Sequence, residues 1–131
     1  MSGKVLVTGG AGFIGSHIAE AYLTEGWEVV VLDDLSRGHE RNVPKQARFI
    51  RADIRSPEAR RAIVDGRFDV VNHHAAQIDV RVSVDSPSLD AAINVVGLVN
   101  LLEGAGEGGV KRVVFASSGG VVYGDPDVVP T

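Results

Sequence analysis

The chain has 131 residues, 44% hydrophobic and 23% charged, with a net charge of −4 and no cysteine. This suits one domain with a real core and excludes a disordered chain, a disulfide scaffold and thiolate chemistry. The acidic balance, without a long basic run, gives no support to a nucleic-acid partner. No apolar run approaches ~18 residues, so no membrane span is expected. The first strand begins too close to Met1 for a signal peptide, and a cytoplasmic protein is the default expectation.

In chain order, a Val-rich strand at 4–8 runs into the turn Gly9-Gly10-Ala11-Gly12, and an amphipathic helix over 13–25 follows. That helix is expected to bury Ile14, Ile18, Ala21 and Tyr22 on one face and to end at Gly26. A second apolar strand, 28–33, ends in Asp33, eighteen residues after Gly15. Strand, glycine turn, helix N-terminus, strand and acid form the layout of a dinucleotide site. Gly9 permits the turn, Gly12 lets the main chain approach a pyrophosphate, and Gly15 lets the helix pack close to the strand. The spacing is G-x-x-G-x-x-G, and Ser16 stands where a P-loop needs lysine.

Segment 34–46 reads as loop. Strands are expected at 47–52, 68–73 and 112–117, with helices at 57–65, opened by Ser56-Pro57, and at 86–107. The arginines at 48, 51, 55, 60 and 61 alternate with Asp53 and Glu58 and read as a solvated face. The long helix carries two apolar stripes, Leu89-Ile93-Val96 and Ala91-Val95-Leu98-Leu102-Ala105, one more than a helix lying on a sheet needs. Strand–helix alternation predicts an α/β fold, a Rossmann-type doubly wound parallel sheet of order 3-2-1-4-5. Pro126, Pro130 and Thr131 read as loop directly after the fifth strand, leaving its apolar edge bare. The expectation is one incomplete domain over 1–131, truncated after the fifth strand and belonging to a longer protein.

Five segments carry a resemblance. They are residues 8–17 (TGGAGFIGSH), residues 32–38 (LDDLSRG), Asp53-Ile54-Arg55, residues 73–77 (HHAAQ) with 83–87 (SVDSP) and 94–103 (NVVGLVNLLE), and residues 115–124 (FASSGGVVYG). In order and spacing the chain resembles the NAD-dependent epimerase/dehydratase family, the extended short-chain dehydrogenase/reductases, and within it the UDP-glucose 4-epimerase branch. The resemblance implies NAD as cofactor, a nucleotide-sugar substrate in the complete enzyme, and a homodimer that pairs the long helix.

The resemblance also implies roles. Gly9, Gly12, Phe13, Ile14 and Gly15 would hold the pyrophosphate. Asp33 would bind the adenosine ribose and repel a 2′-phosphate, which favours NAD over NADP. Asp34, Leu35, Arg37 and Gly38 would fold over the adenosine, although the Arg37 guanidinium could itself meet a 2′-phosphate. Asp53 and Ile54 would hold adenine, with helix capping as the alternative for Asp53. Ala75 and Ala76 would let the backbone approach the cofactor, and Asn94 would be a hydrogen-bonding hub near the nicotinamide. Ser118 aligns with the catalytic hydroxyl, and Ser117 is the second choice.

His73 and His74 point to opposite faces of a strand, and no metal site is expected. The family's Tyr-x-x-x-Lys pair is absent: Tyr22 is followed four residues later by Gly26, and Tyr123 by Asp127. This chain alone is therefore expected to lack epimerase turnover. A dehydratase of the same family and a non-catalytic NAD-binding module remain the alternatives.

Overall fold

The computed structural model describes residues 3–118, 123–124 and 127–128. Five parallel strands, β1 (Lys4–Thr8), β2 (Glu28–Asp33), β3 (Arg48–Arg51), β4 (Val70–His73) and β5 (Arg112–Phe115), form one sheet in the order β3-β2-β1-β4-β5. The expected fold class is thus observed. β1 is central, and Val5, Leu6 and Val7 are wholly buried, as a parallel strand covered on both faces requires. Alternation along the strands divides the core in two. Val5, Val7, Val29, Val31 and Val70 face helix α1 (Phe13–Thr24), whereas Leu6, Val30, Leu32 and Val71 face helix α2 (Pro57–Gly66) and the long helix Pro87–Gly108.

The helix ends follow from local chemistry. Ser56 Oγ accepts from Ala59 N–H at 3.1 Å, and Pro57 opens α2, as read from the sequence. At the end of α1, Gly26 N–H donates to Leu23 O and Trp27 N–H to Tyr22 O, both at 3.0 Å. This is a Schellman motif, and the Tyr22 and Trp27 rings close it edge to face at 5.2 Å. Gly26 holds the left-handed φ of 78° that the motif needs.

Two helical faces differ from expectation. In α1 the buried residues are Gly15, Ser16 and Ala19, with Ile18 and Tyr22 half-buried beside them, while Ile14 is 62% exposed. Small residues form the contact because this helix must lie close to β1. The long helix buries Leu101, Gly104, Ala105 and Gly108 on the side of α2 and Gly97 against Ile54 in the turn before α2. Leu101, wholly buried, belongs to neither expected stripe; of those two stripes only Ala105 reaches the core, and Val95, Val96 and Leu102 stay exposed. The sequence pattern misleads because glycines mark this face: they carry no apolar signal yet let two helices approach.

The long helix contains a π turn, Ala92–Val96, and is preceded by a short helix, α3 (Val80–Asp85), which the sequence reading omitted. Alternating valines at 80, 82 and 84 hide its helical period, and the Asp79 carboxylate caps it through Arg81 N–H. A 3-10 turn, Glu40–Asn42, interrupts the expected loop 34–46. The long helix is long and apolar enough by composition to cross a bilayer. However, its buried face lies on the core, and Glu103 and Glu107 on its flank pair with Arg60 at 2.5 and 2.6 Å.

Candidate dinucleotide site

The site lies at the carboxyl end of the sheet, around the turn between β1 and α1. Gly9 has a φ of 69°, and a Cβ there would meet Ala75 N and His74 C at 2.7 Å, so the turn is pressed against the loop after β4. A Cβ on Gly15 would lie 2.3 Å from Gly9 O, which is why the helix can start so close to the strand. A Cβ on Gly12 would meet only Gly9 O, at 3.2 Å, so space is open beside it. Gly12 is the N-cap of α1 and provides no side-chain cap. The first N–H groups of the helix, with its dipole, are left for the oxygens of an anion. Phe13, 79% exposed, and Ile14 flank that position.

Asp33 is buried at the end of β2 and ties three segments together. Its Oδ2 accepts from Ala11 N–H at 3.0 Å, and its Oδ1 accepts from Leu35 N–H at 2.8 Å. Leu35 is held at a φ of 62°, a strained conformation for a branched residue. Asp34 Oδ1 accepts from the N–H and hydroxyl of Ser36. Gly38 packs on Ala11, where a Cβ would approach to 2.8 Å. Ala11 O in turn accepts from His39 N–H and from Asn42 Nδ2. The loop after β2 therefore rides on the glycine turn, and the residues around it fit a dinucleotide: uncapped N–H groups for phosphates and a fixed carboxylate for a ribose diol.

Asp53, at the end of β3, does not cap α2, because Ser56 does. Its carboxylate is gripped by Arg55 at 2.5 to 3.1 Å, which holds it below the usual carboxylate range. Ile54 is buried in the core, and its carbonyl accepts from Asn100 Nδ2 at 2.8 Å. Asn100 also reaches Ser56 O, and so fixes the turn that carries Asp53. The sequence reading missed Asn100; a polar residue one turn before the Gly104/Ala105 face was the available signal.

After β4, Thr8 organises the chain. Thr8 Oγ1 accepts from His74 N–H and Ala75 N–H at 3.3 and 3.4 Å, so its proton goes to His73 Nδ1, 2.6 Å away. This fixes the His73 proton on Nε2. Phe115 stacks on that ring, and burial pushes the His73 pKa down to about 4, with the neighbouring His74 contributing. His74 turns to the other face and meets Asn72 Oδ1 at 2.8 Å. Neither histidine joins a metal-binding group among the described residues.

Ala75 and Ala76 follow, half-buried and exposed respectively. Asn94, in the π turn, clasps the main chain of Gln77: its Oδ1 accepts the N–H and its Nδ2 donates to the carbonyl, both at 2.9 Å. Gln77 Nε2 reaches Ser83 Oγ and Asp90 Oδ1, further members of a network not anticipated from the sequence. Asn94→Ala is expected to free the loop after β4 at a local cost of about 1–3 kcal/mol. Hydrogen exchange at Gln77 should then accelerate about tenfold or more, while Val71 in β4 stays protected.

The structure gathers Gly9, Gly12, Phe13, Ile14, Gly15, Asp33, Asp34, Leu35, Arg37, Gly38, Ala75 and Ala76 along one edge. Asp53 and Ile54 stand at the neighbouring strand end. Ser117 and Ser118 follow β5 and are exposed, and Tyr123 is exposed as well. Residues 119–122 of the fifth motif and the loop expected at Pro126 and Pro130 lie outside the described residues.

A sequence model of the NAD dependent epimerase/dehydratase family matches residues 5–131. The chain belongs to that family. It is 45% identical to the UDP-glucose 4-epimerase of Mycolicibacterium smegmatis, over 98% of this chain and 42% of that protein. With the UDP-glucose 4-epimerase of Streptomyces lividans it shares 46% identity, over 99% of this chain and 40% of that protein. Among solved structures, the UDP-glucose 4-epimerase of Thermus thermophilus in complex with NAD is 52% identical with a TM-score of 0.85, covering 88% of this chain and 38% of that one. The UDP-glucose 4-epimerase of Thermotoga maritima with UDP-glucose is 42% identical with a TM-score of 0.91, covering 98% of this chain and 42% of that one. The chain thus spans about two fifths of the length of these relatives.

Proposed function

We propose that this chain is the NAD-binding N-terminal portion of a nucleotide-sugar epimerase of the UDP-glucose 4-epimerase type. The observation that carries the proposal is the uncapped start of α1 behind Gly12, with Asp33 fixed beside it by Ala11 and Leu35. In this reading the N–H groups of α1 hold the pyrophosphate, with Phe13 and Ile14 beside it, and Asp33 takes the ribose hydroxyls. The loop of Asp34, Leu35, Arg37 and Gly38 covers the adenosine, and Asp53 with Ile54 borders the adenine. Ala75 and Ala76 leave room for the cofactor to cross, Asn94 keeps their loop in place, and Ser118 is the hydroxyl nearest the chemistry.

When bound, the nicotinamide would accept a hydride from a sugar carbon and return it to the opposite face, while a base takes and returns the hydroxyl proton. A serine hydroxyl alone is not that base, and the sequence holds no Tyr-x-x-x-Lys. Turnover and the choice of sugar nucleotide therefore belong to the complete protein.

Titration calorimetry tests the cofactor. NAD should bind more tightly than NADP, because a 2′-phosphate would meet the Asp33 carboxylate. Asp33→Asn removes the charge, keeps an oxygen acceptor for only one of the two amides, and should narrow the preference by about tenfold. Tighter binding of NADP by the unaltered chain would count against the reading.

Association is part of the same proposal. Val95, Val96, Val99 and Leu102 form an exposed apolar flank on the long helix, and the complete protein is proposed to dimerise through it. Leu98, half-buried on the same helix, borders this flank. Leu98→Glu should weaken self-association by placing a charge in an apolar contact. A sedimentation profile that stays monomeric at high concentration, with or without the substitution, would remove the dimer from the proposal.

A further inference from the structure

Arg37 and Asp79 stand on opposite sides of the glycine turn. Arg37 follows β2 and Asp79 follows β4, and β1 lies between these strands in the sheet. The ion pair of Arg37 Nη2 with Asp79 Oδ2, 4.0 Å long, therefore passes across the carboxyl end of β1. Each partner is preset by its own network. On one side, Arg37 sits between strained Leu35, pinned by Asp33, and Gly38, pressed on Ala11. On the other, Asp79 N–H donates to Gln77 Oε1 at 2.7 Å, Asp79 O accepts from Gln77 Nε2 at 2.9 Å, and the carboxylate caps α3.

The contact between these two loops is long, and the Arg37 side chain is 59% exposed. Such a pair is weak. A pyrophosphate on the first turn of α1 would offer the same guanidinium a doubly charged, bidentate partner. Arg81 Nη2 lies 3.4 Å from Asp79 Oδ2, so Asp79 keeps a cation when Arg37 leaves.

We propose that Asp79 competes with the cofactor's phosphates for Arg37. In the free protein the pair is a strap across the glycine turn, and dinucleotide binding transfers the guanidinium from Asp79 to phosphate oxygens. This rests on the dinucleotide reading above and adds to it a residue, Asp79, that weakens binding and an arginine that strengthens it.

The test is calorimetry with NAD on the 131-residue chain and on Asp79→Asn, Arg37→Gln and the double variant. Asn retains the oxygen that caps α3 and removes the charge. Asp79→Asn should bind NAD about two- to fivefold more tightly, the worth of an exposed ion pair. Arg37→Gln should bind roughly tenfold more weakly, the loss of a charge-assisted hydrogen bond. The double variant should match Arg37→Gln, because the competitor matters only while Arg37 is present.

A second readout needs no ligand. The Asp79 carboxyl titrates below its ordinary range, chiefly through Arg81 and further through Arg37, so Arg37→Gln should raise its midpoint in a carbon-detected NMR titration. Weaker or unchanged binding by Asp79→Asn, additive effects in the double variant, or an Asp79 titration indifferent to Arg37→Gln would each overturn the inference. If the unaltered chain binds no NAD, the dinucleotide reading fails and the inference with it. Binding that Gly12→Val abolishes and Asp79→Asn leaves unchanged overturns the inference alone.

Discussion

Gly12→Val should abolish NAD binding while leaving the fold in place, and Gly15→Val should damage the fold itself. The two glycines stand three residues apart in one turn, yet their surroundings differ. At Gly12 a Cβ meets a single backbone atom, Gly9 O at 3.2 Å, and otherwise projects into open space. A valine there fills the volume in which a pyrophosphate would approach the helix N–H groups. At Gly15 a Cβ would sit 2.3 Å from Gly9 O and 2.8 Å from Gly10 Cα, both backbone atoms that cannot step aside. Helix α1 would have to lift off β1 and open the cluster of Val5, Val7, Ala19 and Val31.

The expected cost of Gly15→Val is about 3 kcal/mol or more, a large part of a small domain's stability. Thermal unfolding and calorimetry together separate the cases. Gly12→Val should unfold within a few degrees of the unaltered chain and show no heat of binding. Gly15→Val should unfold much earlier. Unchanged NAD affinity in Gly12→Val would mean that the glycine turn is not the site.

Acidification should destabilise the protein well above the range where carboxylates protonate, and His73 should be the main cause. His73 is buried, accepts the Thr8 hydroxyl proton, and has a pKa of about 4 against 6.5 for a free histidine. Between those values the unfolded chain binds a proton that the folded chain refuses. Stability is therefore full above about pH 6.5 and is lost as the pH falls towards 4, by at most about 3 kcal/mol. His74, also lowered by burial, adds to the loss in the same direction. Urea unfolding at a series of pH values should show the decline between pH 6.5 and 4.5, and His73→Asn, which keeps an acceptor for Thr8, should flatten most of it. A decline confined below pH 4, or one that His73→Asn leaves intact, would show that the ring is protonated in the folded state.

That effect also marks how far the sequence could be read. The histidine pair read from the sequence as packed or hydrogen-bonded, because neighbours on a strand face opposite ways and cannot share one ion. The identity of the partners could not be read. Thr8 is distant from His73 in the chain, and the two side chains meet only because β4 lies beside β1 with Thr8 opposite His73. Asn72, the neighbour that meets His74, is reached in turn by the distant Tyr22 of α1.

The sequence by itself determined the order of the strands and of the helices other than α3, the sheet order, the glycine turn, the acid at Asp33, the Ser56-Pro57 start of α2 and the Gly26 end of α1. The elements and turns rest on local rules, namely apolar periodicity, the φ that glycine allows, and the caps that serine and proline supply. The sheet order adds the right-handed crossover and the dinucleotide turn after the first strand. Only the tertiary structure decided which face of each helix is buried. In α1 and in the long helix the contacts are made largely by small residues, Gly15, Ala19, Gly97, Gly104 and Ala105, around the one large side chain of Leu101, so close approach matters as much as hydrophobic volume. A pattern of large apolar residues points elsewhere, to Ile14 and Val95, which remain exposed. The tertiary structure likewise decided the polar clasps of Asn94 on Gln77 and Asn100 on Ile54, and the meeting of Arg37 with Asp79. Each joins segments far apart in sequence, and no local rule carries information about a partner that folding alone brings near.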